Sequence, residues 1–74
     1  MKIRKTIINS VNNVNSRKRI SDDLNISDQM IYKHLSANKT NGRLTKMDAL
    51  KAISKETGIA IEDIVIEATN MIEE

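Results

Sequence analysis

Apolar residues recur along this chain at helical spacing. Ile3, Ile7, Val11 and Val14 are separated by four, four and three positions, which predicts an amphipathic first helix over residues 3–14 with Lys2, Arg4 and Lys5 outside. The polar run Asn12, Asn13, Asn15, Ser16 favours side-chain bonds to the backbone over helix continuation, so a second helix is expected over about 17–24, capped by Ser16. It carries Ile20, Ser21 and Leu24 on one side and ends at Asn25, a residue that tolerates left-handed backbone. Ser27 is a good N-cap and Asp28 suits a positive helix start, so a third helix is expected over 28–36, its inner stripe being Ile31, His34 and Leu35.

The segment from Ala37 to Leu44 has Asn, Thr and Gly but no period and reads as a basic loop. Thr45 and Asp48 have the spacing of a capping box, opening a fourth helix with Met47, Leu50 and Ile53 that stops before Gly58. Ile61, Ile64, Val65, Ala68, Met71 and Ile72 share one stripe and predict a fifth helix over 61–73, with Ile66 off the stripe. There is no linker, repeat or low-complexity tract. The expectation is a single all-α domain over residues 1–74, with a core mainly of isoleucine.

Composition narrows what such a domain does. A chain of 74 residues buries only about 60% of its unfolded surface, and without cysteine it has no disulfide or thiolate metal site to help. The single His34 cannot cage a metal alone, so association with a second copy is the expected supplement. Residues 1–9 are basic but lack the apolar run of about seven or more that a secretory signal needs, and no stretch has transmembrane length, which predicts a cytoplasmic protein without a membrane partner. Tyr32 is the one aromatic residue, which argues against stacking single-stranded bases on rings. Residues 1–43 carry nine Lys/Arg against three Asp, a net +6, while 44–74 carry three against seven acids, a net −4. The first part is suited to phosphate. No elbow glycine, metal spacing or Gly-rich phosphate loop accompanies the Ser, Asp and His present, so neither catalysis, a cofactor nor a small-molecule substrate is expected.

Two short helices joined by a tight turn, the second N-capped and polar at its start, form the arrangement that enters a DNA major groove. Read together, Ile20-Ser21, Leu24-Asn25-Ile26-Ser27 and Ile31-Tyr32-Lys33-His34-Leu35 resemble the helix-turn-helix of the lambda repressor and Cro superfamily, over about residues 17–36. Leu50 to Ile59, followed by Glu62-Asp63-Ile64-Val65, resembles that family's last two helices, so the likeness covers roughly residues 3–66. The family usually has glycine where Asn25 stands, an apolar or Trp side chain where His34 stands, leucine at Thr57, and a Ser or Thr cap at Ala60. Asn25 is the best non-glycine substitute for positive φ.

The resemblance implies a five-helix domain whose base-reading positions are Asp28, Gln29, Tyr32 and Lys33. Gln29 can pair with adenine N6 and N7 and Lys33 can donate to guanine O6 and N7, each good contact giving roughly 1–3 kcal/mol of discrimination. Tyr32 can meet a thymine methyl or a phosphate, or be a surface filler; Asp28 can accept from cytosine N4, or simply serve the helix start. Arg17, Lys18 and Ser27 fall where the family touches phosphate, and Asn38, Lys39, Thr40 and Arg43 offer donors that fix register. The bland reading of Arg17 to Arg19 is a solvated basic turn; that of His34 is a packed histidine without chemistry. Ile66, Met71 and Ile72 form the expected dimer seam, or else complete the core.

The resulting expectation is a small phage-type Cro-like repressor in a bacterial or phage-infected cell, binding a duplex operator as a homodimer on half-sites about one turn apart. The rival is a protein-interaction module of the same fold, an antirepressor or antitoxin-like adaptor, to which Asp22, Asp23 and Asp28 point.

Overall fold

The computed structural model describes residues 1–67. Met71 and Ile72 of the expected dimer seam lie outside the described residues. The chain opens with a short strand, β1 (Lys2–Ile3), and then four longer helices follow: α1 (Lys5–Val11), α2 (Val14–Leu24), α3 (Asp28–Ala37) and, after a 3₁₀ turn at Arg43–Thr45, α4 (Met47–Thr57). A single helical turn, α5 (Ile61–Ile64), leads into a second strand, β2 (Val65–Ile66). The described chain is therefore mostly helical, and its radius of gyration of 11.0 Å is about what a well-packed chain of this length has.

The expected first helix of residues 3–14 is broken in two. Asn12 takes non-helical dihedrals, and the Asn13 side chain accepts a hydrogen bond from the Ser16 amide at 2.9 Å, capping α2 three residues earlier than expected. Asparagine's competition with the helix backbone wins over the apolar period. Val14 consequently faces solvent, 69% exposed, instead of completing an inner stripe, and Ser16 is a buried residue of α2, not its cap.

The turn between α2 and α3 forms at the expected residue. Asn25 has φ 55° and ψ 42°, and the amides of Asn25 and Ile26 both donate to the Ser21 carbonyl. The bond from Ile26, at 3.1 Å, closes a Schellman-type end, and Ile26 packs against the core. Ser27 then caps α3 by accepting from the Met30 amide. Every non-glycine residue with positive φ among the described residues is an asparagine: Asn25, Asn38 and Asn41. Its short amide side chain tolerates the left-handed region.

Two further expectations fail for local reasons. The capping box at Thr45 and Asp48 does not form: the Thr45 hydroxyl donates to the Gly42 carbonyl at 2.7 Å, Asp48 pairs with Arg43, and α4 starts without a side-chain cap. Met47 is 58% exposed, so α4 buries Ala49, Leu50, Ala52 and Ile53 instead. The fifth helix stops after one turn, because Ala60 has no side chain to cap it and the β-branched run Ile64-Val65-Ile66 suits extended backbone. β2 pairs antiparallel with β1, Lys2 opposite Ile66 and Ile3 opposite Val65, and the Arg4 amide donates to the Ile64 carbonyl at 2.9 Å. Among the described residues the architecture is thus five helices, as an all-α fold requires, with one small two-stranded ribbon added.

The core is chiefly isoleucine. Ile3, Ile20, Ile31, Ile53 and Ile64 are essentially inaccessible, filled in by Val11, Leu35 and Leu50. The α4 helix runs through the centre of this packing, against α1, α2 and α5. Ile66 is buried, 4% exposed, within its own chain, which removes it from the expected dimer seam. Among the described residues no helix is long and apolar enough to cross a membrane.

Candidate nucleic-acid interface

The α3 helix sorts its side chains as the 3.6-residue period requires. Ile31 and Leu35 are buried, His34 is half-buried, and Asp28, Gln29, Tyr32 and Lys33 are exposed. The four expected base-reading residues therefore share one outward face, which begins one residue after the cap Ser27. Met30 is also exposed, at 41%, an apolar element on this surface that was not anticipated.

Arg17 does not reach outward as expected for a phosphate contact. Its side chain is only 15% exposed, its Nη1 donates to Asn12 Oδ1 at 2.7 Å, and its guanidinium lies 5.3 Å from the Tyr32 ring centroid. Its Nε is 3.5 Å from Asp28 Oδ1, an ion pair too long and too poorly aligned for a hydrogen bond. Arg17 thus ties the start of α2 to the start of α3, and it orients Tyr32 by a cation–π contact. Asn12 is the partner that sequence reasoning missed; its only signal was its place in the polar run that ends α1. Lys18, one residue on, is exposed.

The loop after α3 divides in the same way. Lys39 and Thr40 are exposed, whereas Asn38 is half-buried, ends α3 with φ 41°, and donates from Nδ2 to the Ile3 carbonyl at 3.0 Å. Asn38 is therefore a brace between α3 and β1 before it is a phosphate donor. The Asn41 amide donates to the Met1 carbonyl, and the Gly42 amide to the Lys39 carbonyl at 3.1 Å, closing the turn. Arg43 holds Asp48 through two bonds of 2.9 and 3.0 Å, and this guanidinium keeps the Asp48 carboxyl below the usual carboxylate range. Both terminal nitrogens of Arg43 thereby bond Asp48, whose carboxylate offsets the charge that Arg43 would offer a phosphate.

Of the expected contacts, the structure brings Gln29, Tyr32 and Lys33 together on one helix and leaves Lys18, Lys39 and Thr40 exposed on the flanking elements. It assigns Arg17, Asn38 and Arg43 to bonds within the chain. Among the described residues no group of three His, Cys, Asp or Glu is placed to hold a metal ion. No protein-family model matches the chain, and no curated protein or solved structure matches it either.

Proposed function

We propose that this protein is a sequence-specific duplex DNA-binding regulator of the lambda repressor-like, helix-turn-helix type, acting as a small Cro-like repressor. One observation carries the reading: α3 follows a left-handed turn at Asn25, is capped by Ser27, and presents Gln29, Tyr32 and Lys33 outward while Ile31 and Leu35 anchor it. In this reading α3 lies in the major groove, Gln29 and Lys33 meet base edges, and Lys18, Lys39 and Thr40 meet phosphate. The ring of Tyr32 arrives already oriented by Arg17. Two copies occupy half-sites about one turn apart, through a seam that excludes Ile66.

The test is retention of a random duplex pool at low salt, followed by selection and sequencing of the bound fraction. Affinity is expected to fall steeply and linearly in log–log form as salt rises. Lys33→Ala is expected to weaken the favoured site by roughly 1–3 kcal/mol and relax preference at one base pair, whereas Lys39→Ala should weaken all sequences alike and lower the salt slope by about 1. A chain that retains no duplex at low salt refutes the reading.

A protein-interaction module of the same fold is the second reading. It is favoured by the exposed Met30 and Val14 and by Asp28, whose carboxylate stands on the face that would meet phosphate. Binding to a basic protein partner without duplex retention would decide for it.

A further inference from the structure

A cleft of about 390 Å³ separates the C-terminal half of α3 from the loop that follows it. Its accessible apolar lining is Met30 and Ala37, both exposed, with the buried Ile3 and Leu44 closing the packing behind them. Its rim is cationic: Lys33, Lys39 and Arg43 all line it, together with the half-buried His34, and no carboxylate does. The volume falls in the lower part of the range that small-ligand sites occupy, roughly 300–1,000 Å³.

We propose that this cleft binds a small organic anion with an apolar body, and that its occupation antagonises duplex binding. The second half rests on the DNA reading, because Lys33 and Lys39 serve both purposes. The apolar body sits on Met30 and Ala37, and the anionic group lies between Lys33 and Lys39, whose side chains are exposed. Arg43 contributes less, since Asp48 already neutralises it. The negative end of the α3 dipole at Ala37 opposes an anion, but that end is partly satisfied by the Asn38 amide donating to the His34 carbonyl at 2.9 Å, and two lysines outweigh it. An anion held there neutralises cations that would otherwise displace counterions from DNA.

The experiment titrates the ¹⁵N-labelled chain with 2-naphthoate and, separately, with 2-naphthylmethylammonium, which carries the same ring on a cation. Naphthoate is expected to give saturable shifts at the amides of Ala37, Lys39, Gly42 and Leu44 with a dissociation constant of about 1 mM or tighter. The cation should bind about tenfold more weakly, and Lys39→Glu, at an exposed position that leaves the core intact, should weaken naphthoate several-fold. Shifts elsewhere, no saturation, or equal binding of the two probes overturns the site. Release of a bound duplex by naphthoate from the wild-type chain supports the antagonism, and unchanged duplex affinity at saturating naphthoate overturns it. Naphthoate binding in a chain that retains no duplex overturns the DNA reading and the antagonism, and leaves the cleft standing. Duplex retention without naphthoate binding overturns the cleft alone.

Discussion

Replacing Glu56 by glutamine tests how α2 is fastened to the central helix. Both carboxylate oxygens of Glu56 are occupied: Oε1 accepts from Arg19 Nε at 2.7 Å, while Oε2 accepts from Arg19 Nη2 at 2.8 Å and from the Ser16 hydroxyl at 2.7 Å. These bonds, Arg19 first and Ser16 second, lower the Glu56 pKa from 4.5 to about 2. A carboxyl moved that far corresponds to at most ~3 kcal/mol of stability. Arg19, however, is 63% exposed, so water screens most of its share, whereas Ser16 is buried and its bond keeps most of its strength. The expected cost of Glu56→Gln at pH 7 is therefore ~1–2 kcal/mol. Because the folded pKa is depressed, the contribution is fully present above about 4.5, the unfolded value, and is lost as pH falls through the folded value of about 2. Urea titrations followed by far-ultraviolet circular dichroism at pH 7, 4 and 2 should show the gap between wild type and variant constant near neutrality and closing at the acid end. A gap below ~0.5 kcal/mol at pH 7, or one that persists undiminished at pH 2, refutes the reasoning.

Other substitutions probe the turn, the core and the interface. Asn25→Ala should cost ~1–2 kcal/mol in chemical denaturation while Asn25→Gly is close to neutral, since φ is 55° there; equal costs would deny the left-handed turn. Ile31→Ala, at a fully buried position, should cost ~2–5 kcal/mol and lower the melting temperature accordingly. Arg17→Ala should lose the near-ultraviolet dichroism of Tyr32, the chain's one aromatic ring, with far-ultraviolet helicity preserved, and an unchanged tyrosine band would show that the guanidinium does not orient the ring. Gly42→Ala should displace the Lys39 turn, where a Cβ would stand 3.0 Å from the Lys39 carbonyl oxygen, and amide shifts confined to Lys39 to Arg43 would register it.

What the residue pattern reveals here is local chemistry with a single winner. Ser27 before Asp28, Asn25 after Leu24 and Gly58 after Thr57 each solve one backbone problem, and all three sit where their chemistry predicts, Gly58 with φ 73°. The buried stripes were legible in part, through Ile31 and Leu35 of α3 and Leu50 and Ile53 of α4, but not through Met47. Where two signals compete, the period misleads. Val14 continues the spacing of Ile3, Ile7 and Val11, but Asn12 and Asn13 lie between them and redirect the chain. The helical stripe through Ile61, Ile64 and Val65 hid the β-branching of Ile64-Val65-Ile66, whose strand requires β1 as a partner from the other end of the chain. That pairing is non-local and leaves no trace in either segment alone. The candidate interface divides likewise: the outward face of α3 follows from helical geometry, but Arg17, Asn38 and Arg43 find partners on other elements or in the next helix, and those partners fix their roles.

The ribbon of β1 and β2 has a consequence for how the protein is made. Ile3 and Val65 are 62 positions apart, and bringing such distant points together costs about 3.7 kcal/mol in chain entropy beyond a fixed term. Two residue pairs cannot offset that unaided, so the strands meet only after the helices have drawn them near. During synthesis β1 lacks its strand partner until residue 66 has left the ribosome. The ribbon is then among the last parts of this protein to form, after the helical packing that brings its strands together.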